Sequence, residues 1–108
     1  MADLKTERRS QSRLAVRVPV SIRSEGQFGP TAHTRDLSMS GIFLYTESKI
    51  QPGSLLEMVL ILPPELTQGK KRWMCCQAAV VRVEEPVPGQ GFGVAASIRR
   101  IELLPEIG

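Results

Sequence analysis

Cysteine, histidine and aromatic residues are scarce in this chain of 108 residues, and each shortage closes off a class of chemistry. The two cysteines, Cys75 and Cys76, are neighbours in a stretch of strand character, where adjacent side chains point to opposite faces. They are not expected to bond to each other, and no Cys-x-x-Cys pair is present to hold zinc or run thiol exchange. The single histidine, His33, has no partner at metal-ligand spacing and no carboxylate or cysteine pattern that would make it a base. Neither a metal nor a resident cofactor is expected. Aromatic residues make up 5% of the chain. Phe28, Phe43 and Phe92 read as structural and Trp73 as core or rim, so the row of exposed rings that a single-stranded nucleic-acid module uses for stacking is poorly provided.

Long apolar runs are missing as well. Met1 to Ser12 contains none, which argues against a signal peptide or anchor there, and no later stretch reaches the length needed to span a bilayer. A cytoplasmic location is the expectation. A Gly-rich phosphate loop, a nucleophile with its base and a positioned pair of carboxylates are all absent from the sequence pattern, so an enzyme is the least expected class.

What is present suits one small domain with a single core: the apolar fraction is 42% and the formal charge is +3. The arginines crowd the front. Arg8, Arg9, Arg13, Arg17 and Arg23 face only Asp3, Glu7 and Glu25 in the first quarter, which favours an anionic partner.

Strand patterns follow. Leu14, Val16, Val18, Val20 and Ile22 alternate with polar or small residues, the period of a half-buried strand, with Pro19 on the polar side suggesting an edge or bulge. Ser24 to Pro30 is rich in turn residues, Thr31 to Asp36 suits a short second strand, and Gly41 to Thr46 a third. Leu55 to Leu62 and Trp73 to Glu84 suit longer strands, joined by Glu65 to Lys71, which reads as a hairpin loop. Pro86 to Gly91 then turns the chain into Phe92 to Ser97. About six strands at this spacing predict an all-β protein, a sandwich or barrel. Ile98, Ile101 and Leu104 lie near helical spacing before Pro105, which leaves a short closing helix open.

Two short polar motifs carry the functional signal: Arg9-Ser-Gln-Ser-Arg13, and Asp36-Leu-Ser38-Met-Ser-Gly41 at the end of the second strand. Guanidinium forks match the acceptors on the outer edge of guanine and the oxygens of phosphate. A carboxylate beside a hydroxyl can accept from guanine's ring N–H and amino group. Asp36 and Ser38 could equally cap their own turn, with Gly41 supplying an awkward backbone angle, and one turn can do both.

Arg-x-x-x-Arg, a strand, Asp-x-Ser-x-x-Gly and a late Gly91-Phe-Gly-Val94, in that order over nearly the whole chain, resemble the PilZ domain. The resemblance implies a six-stranded antiparallel, Greek-key-like β-barrel over residues 13–108, preceded by a flexible basic arm at 1–12. It also implies a non-catalytic bacterial receptor for the second messenger cyclic di-GMP, signalling to a protein partner when the arm orders over the ligand. Carried over, Arg9 and Arg13 contact phosphates and guanine edges, Asp36 and Ser38 bond the base, and Gly41 serves through its backbone. Arg8, just before the first motif, goes with two stacked ligand molecules in the family. Two other classes remain: a PilZ-like adaptor that binds protein but no nucleotide, and a single-stranded nucleic-acid-binding barrel.

Overall fold

Alternating apolar residues form strands that roll into a closed barrel, which leaves no strand without a neighbour on either side. The computed structural model describes residues 13–24 and 27–106; the arm expected at 1–12, with Arg8 and Arg9, lies outside the described residues. The strands are β1 (Pro19–Ser24), β2 (Gln27–Leu37), β3 (Gly41–Thr46), β4 (Leu55–Leu62), β5 (Arg72–Val87) and β6 (Gly91–Glu106). Around the barrel they run β1-β2-β3-β6-β5-β4, all antiparallel. The connection from β3 places β4 beside β1, so that β3 meets β6 and the wall closes in a Greek-key-like path. The expected six-stranded antiparallel barrel is the observed fold.

The core is the inward half of each alternation. On β4, Leu56, Met58, Leu60 and Leu62 are buried while Leu55 and Glu57 face out. Ile42 and Leu44 on β3 meet Ala96 and Val94 on β6 across the inside. Burying a side chain of this size stabilises by about 1.5–3 kcal/mol. Cys75 and Cys76 are both free and sit on alternate faces; burial, with the neighbouring Cys75, pushes the Cys76 thiol up to about 11, so it stays protonated at neutral pH.

Three expectations need correction. The closing helix over Ile98, Ile101 and Leu104 does not form, because β6 continues through these residues to Glu106. Ala78 pairs with Ile98 and Gln77 with Arg100, so Arg99 is an extra residue, a β-bulge. The bulge turns Ile98 and Ile101 to the same inner side, where both pack against the core with Leu103. A spacing of three that mimics a helix is here a strand with one residue inserted. Conversely, the loop expected over Glu65 to Lys71 opens with one helical turn, α1 (Pro64–Thr67). Pro64 near its start presets the helical angle, and Gln68 ends it in the left-handed region at φ 60°. Third, β2 begins at Gln27, inside the expected turn, and β1 begins only at Pro19 rather than at Leu14.

The late start of β1 has a specific cause. Leu14 still bridges Leu37 through two backbone bonds, Leu14 N–H to Leu37 O at 2.7 Å and Leu37 N–H to Leu14 O at 3.0 Å. Between that bridge and Pro19 the side chain of Thr34 intervenes: its hydroxyl accepts from Val18 N–H at 2.8 Å and donates to the Val16 carbonyl. One buried hydroxyl thus satisfies two backbone groups of the segment, beside the backbone bond from Thr34 N–H to the Val18 carbonyl at 3.0 Å. Thr34→Val keeps the shape but leaves the Val18 N–H without its acceptor, and should cost about 1–3 kcal/mol in urea unfolding; an unchanged midpoint would mean that the segment is held elsewhere.

Candidate ligand site

The Leu14–Leu37 bridge joins the two motifs. It sets Arg13, the last residue of the first motif, beside Asp36, the first of the second, across 23 positions of sequence. Arg13 Nε donates to Asp36 Oδ1 at 2.6 Å, and its Nη2 lies 2.5 Å from the same oxygen. The other oxygen, Oδ2, accepts from Arg35 Nε at 2.7 Å. Charge-assisted bonds of this kind are short and are the stronger class of hydrogen bond.

Asp36 can reach both arginines only because β2 carries a bulge. Thr34 pairs with Leu44 and Asp36 with Phe43, which makes Arg35 the extra residue. Thr34 and Leu37 both face in and are fully buried, while Arg35 and Asp36 both face out. Strict alternation would send the carboxylate into the core. Burial raises the Asp36 pKa, but the hydrogen bonds from Arg35 and Arg13, with their charges, outweigh it and hold the carboxyl below the ordinary carboxylate range.

From Asp36 a row crosses the outer face: Asp36 on β2, Phe43 on β3, Ala95 on β6 and Arg82 on β5. Small residues at Gly41, Ala95 and Ser97 leave a groove of about 380 Å3 whose walls include Arg13, Arg35 and Arg82. Arg82 also bonds Glu84 at 3.0 Å. A shallow outer groove edged by three guanidiniums, with one carboxylate between two of them, suits a ligand that is both anionic and hydrogen-bonding.

Gly41 is not held at positive φ, so the awkward backbone angle expected of it is not what this turn requires. A Cβ there would lie 3.1 Å from Arg13 Nη1 and 3.5 Å from the Ala96 carbonyl, so the end of the arginine side chain would have to shift by a few tenths of an ångström to make room. Ser38 is almost completely buried. Its hydroxyl accepts from Gly41 N–H at 3.1 Å and Ser40 N–H at 3.2 Å, while its own N–H donates to the Gly41 carbonyl at 2.9 Å. The structure therefore brings Arg13 against Asp36 and beside Gly41, and turns Ser38 into the loop beneath them. Arg8 and Arg9 lie outside the described residues. Arg35 and Arg82 were missed by the motifs; the only sequence signal for Arg35 is its place directly before Asp36.

Other candidates stand apart from this groove. His33 is half-buried, 3.0 Å from Gln90 Oε1 and packed against Tyr45. Trp73 pairs with Ile61 at the start of β5 and is 40% exposed. A second cleft of about 350 Å3 on β1, β4, β5 and β6 sets Arg23 and Arg100 against Glu57 and Glu102, a balance of charge that gives no preference for an anion. Among the described residues no group of histidine, cysteine and carboxylate side chains could hold a metal ion, and no helix is long and apolar enough to cross a membrane.

A carboxyl whose folded pKa is depressed stabilises the fold above its unfolded value of about 3.9 and loses that contribution as the pH falls through the folded value. Unfolding of wild type and Asp36→Asn across pH 2–7 should therefore show a constant gap in favour of wild type from about pH 5 upward, closing at lower pH. A gap independent of pH would place the Asp36 carboxylate outside the ion pairs described.

Residues 7–104 match the family model of the PilZ domain. Among solved structures the chain is similar to the inhibitor of motility MotI/DgrA of Bacillus subtilis, with a TM-score of 0.68 and 20% sequence identity, over 83% of this chain and 42% of that one. At that identity the likeness concerns the barrel, and this chain spans less than half of that protein's length. No curated protein matches the chain. With the matched family model spanning β1 to β5 and most of β6, and Arg13 of the first motif in contact with Asp36 of the second, the chain belongs to the PilZ domain family.

Proposed function

We propose that this chain is a non-catalytic receptor for cyclic di-GMP. PilZ domains are in general receptors rather than enzymes, and that dinucleotide is the ligand of the family. The observation that carries the reading is the contact between Arg13 and Asp36, which sets the residues of two separate motifs beside one groove. In this account Arg13 and Arg9 hold the phosphates and the guanine outer edge, Asp36 accepts from the guanine N–H groups, and Ser38 and Gly41 keep the turn that presents Asp36. Arg8 and Arg9, on the segment preceding Arg13, close over the ligand, and Arg8 admits a second, stacked ligand molecule. Arginine against a dianion supplies charge-assisted bonds that offset the cost of ordering the segment. The closed segment and barrel then form the surface that a protein partner reads. Binding is the whole activity, with no bond made or broken.

One observation favours the adaptor alternative. Both oxygens of Asp36 are already bonded to the chain's own arginines, so guanine must share or displace those bonds. A nucleic-acid-binding barrel is supported less: Phe43 is buried and Tyr45 half-buried, so the described outer face near the groove offers no run of exposed rings.

Calorimetric titration with cyclic di-GMP beside GMP and cyclic GMP separates these. The receptor reading expects selective binding of the dinucleotide, weakened at least about tenfold in Arg9→Ala, Arg13→Ala and Asp36→Ala, each removing a charged hydrogen bond. A ratio near two ligands per chain supports the role given to Arg8. A folded wild type that releases no heat leaves the adaptor in front.

A further inference from the structure

We infer that Arg35, which neither motif includes, is a stacking platform for a nucleobase. The inference rests on the receptor reading and adds to it the residue that takes the base. Arg35 Cζ lies 3.8 Å from the centroid of the Phe43 ring, so one face of the guanidinium is covered. The ring beneath cannot yield. Phe43 is 2% exposed, meets Tyr45 edge-on, and rests on Gly93, where a Cβ would stand 2.7 Å from Phe43 Cζ. One edge of the guanidinium is fixed as well, by the bond from Nε to Asp36 Oδ2.

A cation held by one face and one edge is already ordered, yet the Arg35 side chain remains 51% exposed and lines the groove beside Arg13. The surface left to a ligand is the second face of a flat, delocalised cation. Such a face attracts the π surface of a purine, and a pre-set arginine loses little rotamer entropy when the base settles on it. Arg13, on the opposite oxygen of Asp36, is placed to take phosphate. The pair therefore fits base and phosphate of one purine nucleotide, which is half of a cyclic dinucleotide, in the order Phe43, Arg35, base.

Lysine keeps the charge and loses the plane, which makes Arg35→Lys the informative variant. Wild type and Arg35→Lys are titrated with cyclic di-GMP by calorimetry, and the arginine Nε–H resonances of 15N-labelled wild type are followed during the same titration. The expected result is binding about tenfold weaker in Arg35→Lys, with the Arg35 Nε–H proton moving upfield in wild type under the ring current of the base. Wild-type affinity in Arg35→Lys, or an Arg35 resonance that stays in place while wild type binds, overturns the stacking role and leaves the receptor reading intact. If Arg35→Lys does not fold, the wild-type resonance decides. Absence of binding by wild type overturns both.

Discussion

The carboxylate of Asp36 takes a guanidinium on each oxygen, and the outer face of the barrel is organised around that arrangement. Without the carboxylate, Arg13, on the segment before β1, and Arg35, on β2, would be two neighbouring like charges with nothing to hold them together. With it, each is turned to a defined direction while roughly half of each side chain stays open to solvent. Exposed ion pairs contribute little to stability as a rule. Here the carboxylate is mostly covered, and what the pairs chiefly supply is geometry: cations pre-placed for an anionic ligand, so that less ordering remains to be done on binding.

The supports of that carboxylate are two features of the backbone and the side chains bonded or packed around them. The bulge at Arg35 turns Asp36 outward, and the Leu14–Leu37 bridge brings Arg13 to it. Thr34, one residue before the bulge, ties down the segment between the bridge and β1. Ser38 closes the turn after β2 with its own hydroxyl, and Gly41 leaves space for Arg13 above that turn. On the next strands Gly93 seats Phe43, and Phe43 carries Arg35. A motif that looks like a set of ligand contacts is therefore in part a scaffold: Asp36 holds the Arg13 and Arg35 side chains that line the groove, while Ser38 closes the turn that presents Asp36.

Most of the strands were legible from apolar runs bounded by turn residues, with alternation explicit only over Leu14 to Ile22. In the folded chain β4 and the first half of β5 follow period two, with Leu56, Met58, Leu60 and Leu62 and Met74, Cys76, Ala78 and Val80 on the inner face. The contact between motifs was legible only through the resemblance, since nothing local in Arg9 to Arg13 says that Asp36 lies beside it. The failures at Arg35 and at the chain's end share one physical origin. A bulge adds a residue without adding a rung, so alternation after it is out of phase. At Arg99 this made Ile98 and Ile101 look helical, and at Arg35 it concealed that Arg35 and Asp36 share the outer face. The short helix at Pro64 escaped for another reason: a single turn is too brief to show a period.

The most direct test of the central claim is to map amide shifts of 15N-labelled protein on addition of cyclic di-GMP. The account predicts that the largest changes cluster at Arg13–Leu14, from Arg35 to Gly41, and at Ala95–Ser97, the elements that hold Asp36 and floor the groove. Changes centred instead on the cleft between Arg23, Glu57, Arg100 and Glu102, with Asp36 and its neighbours unmoved, would contradict it.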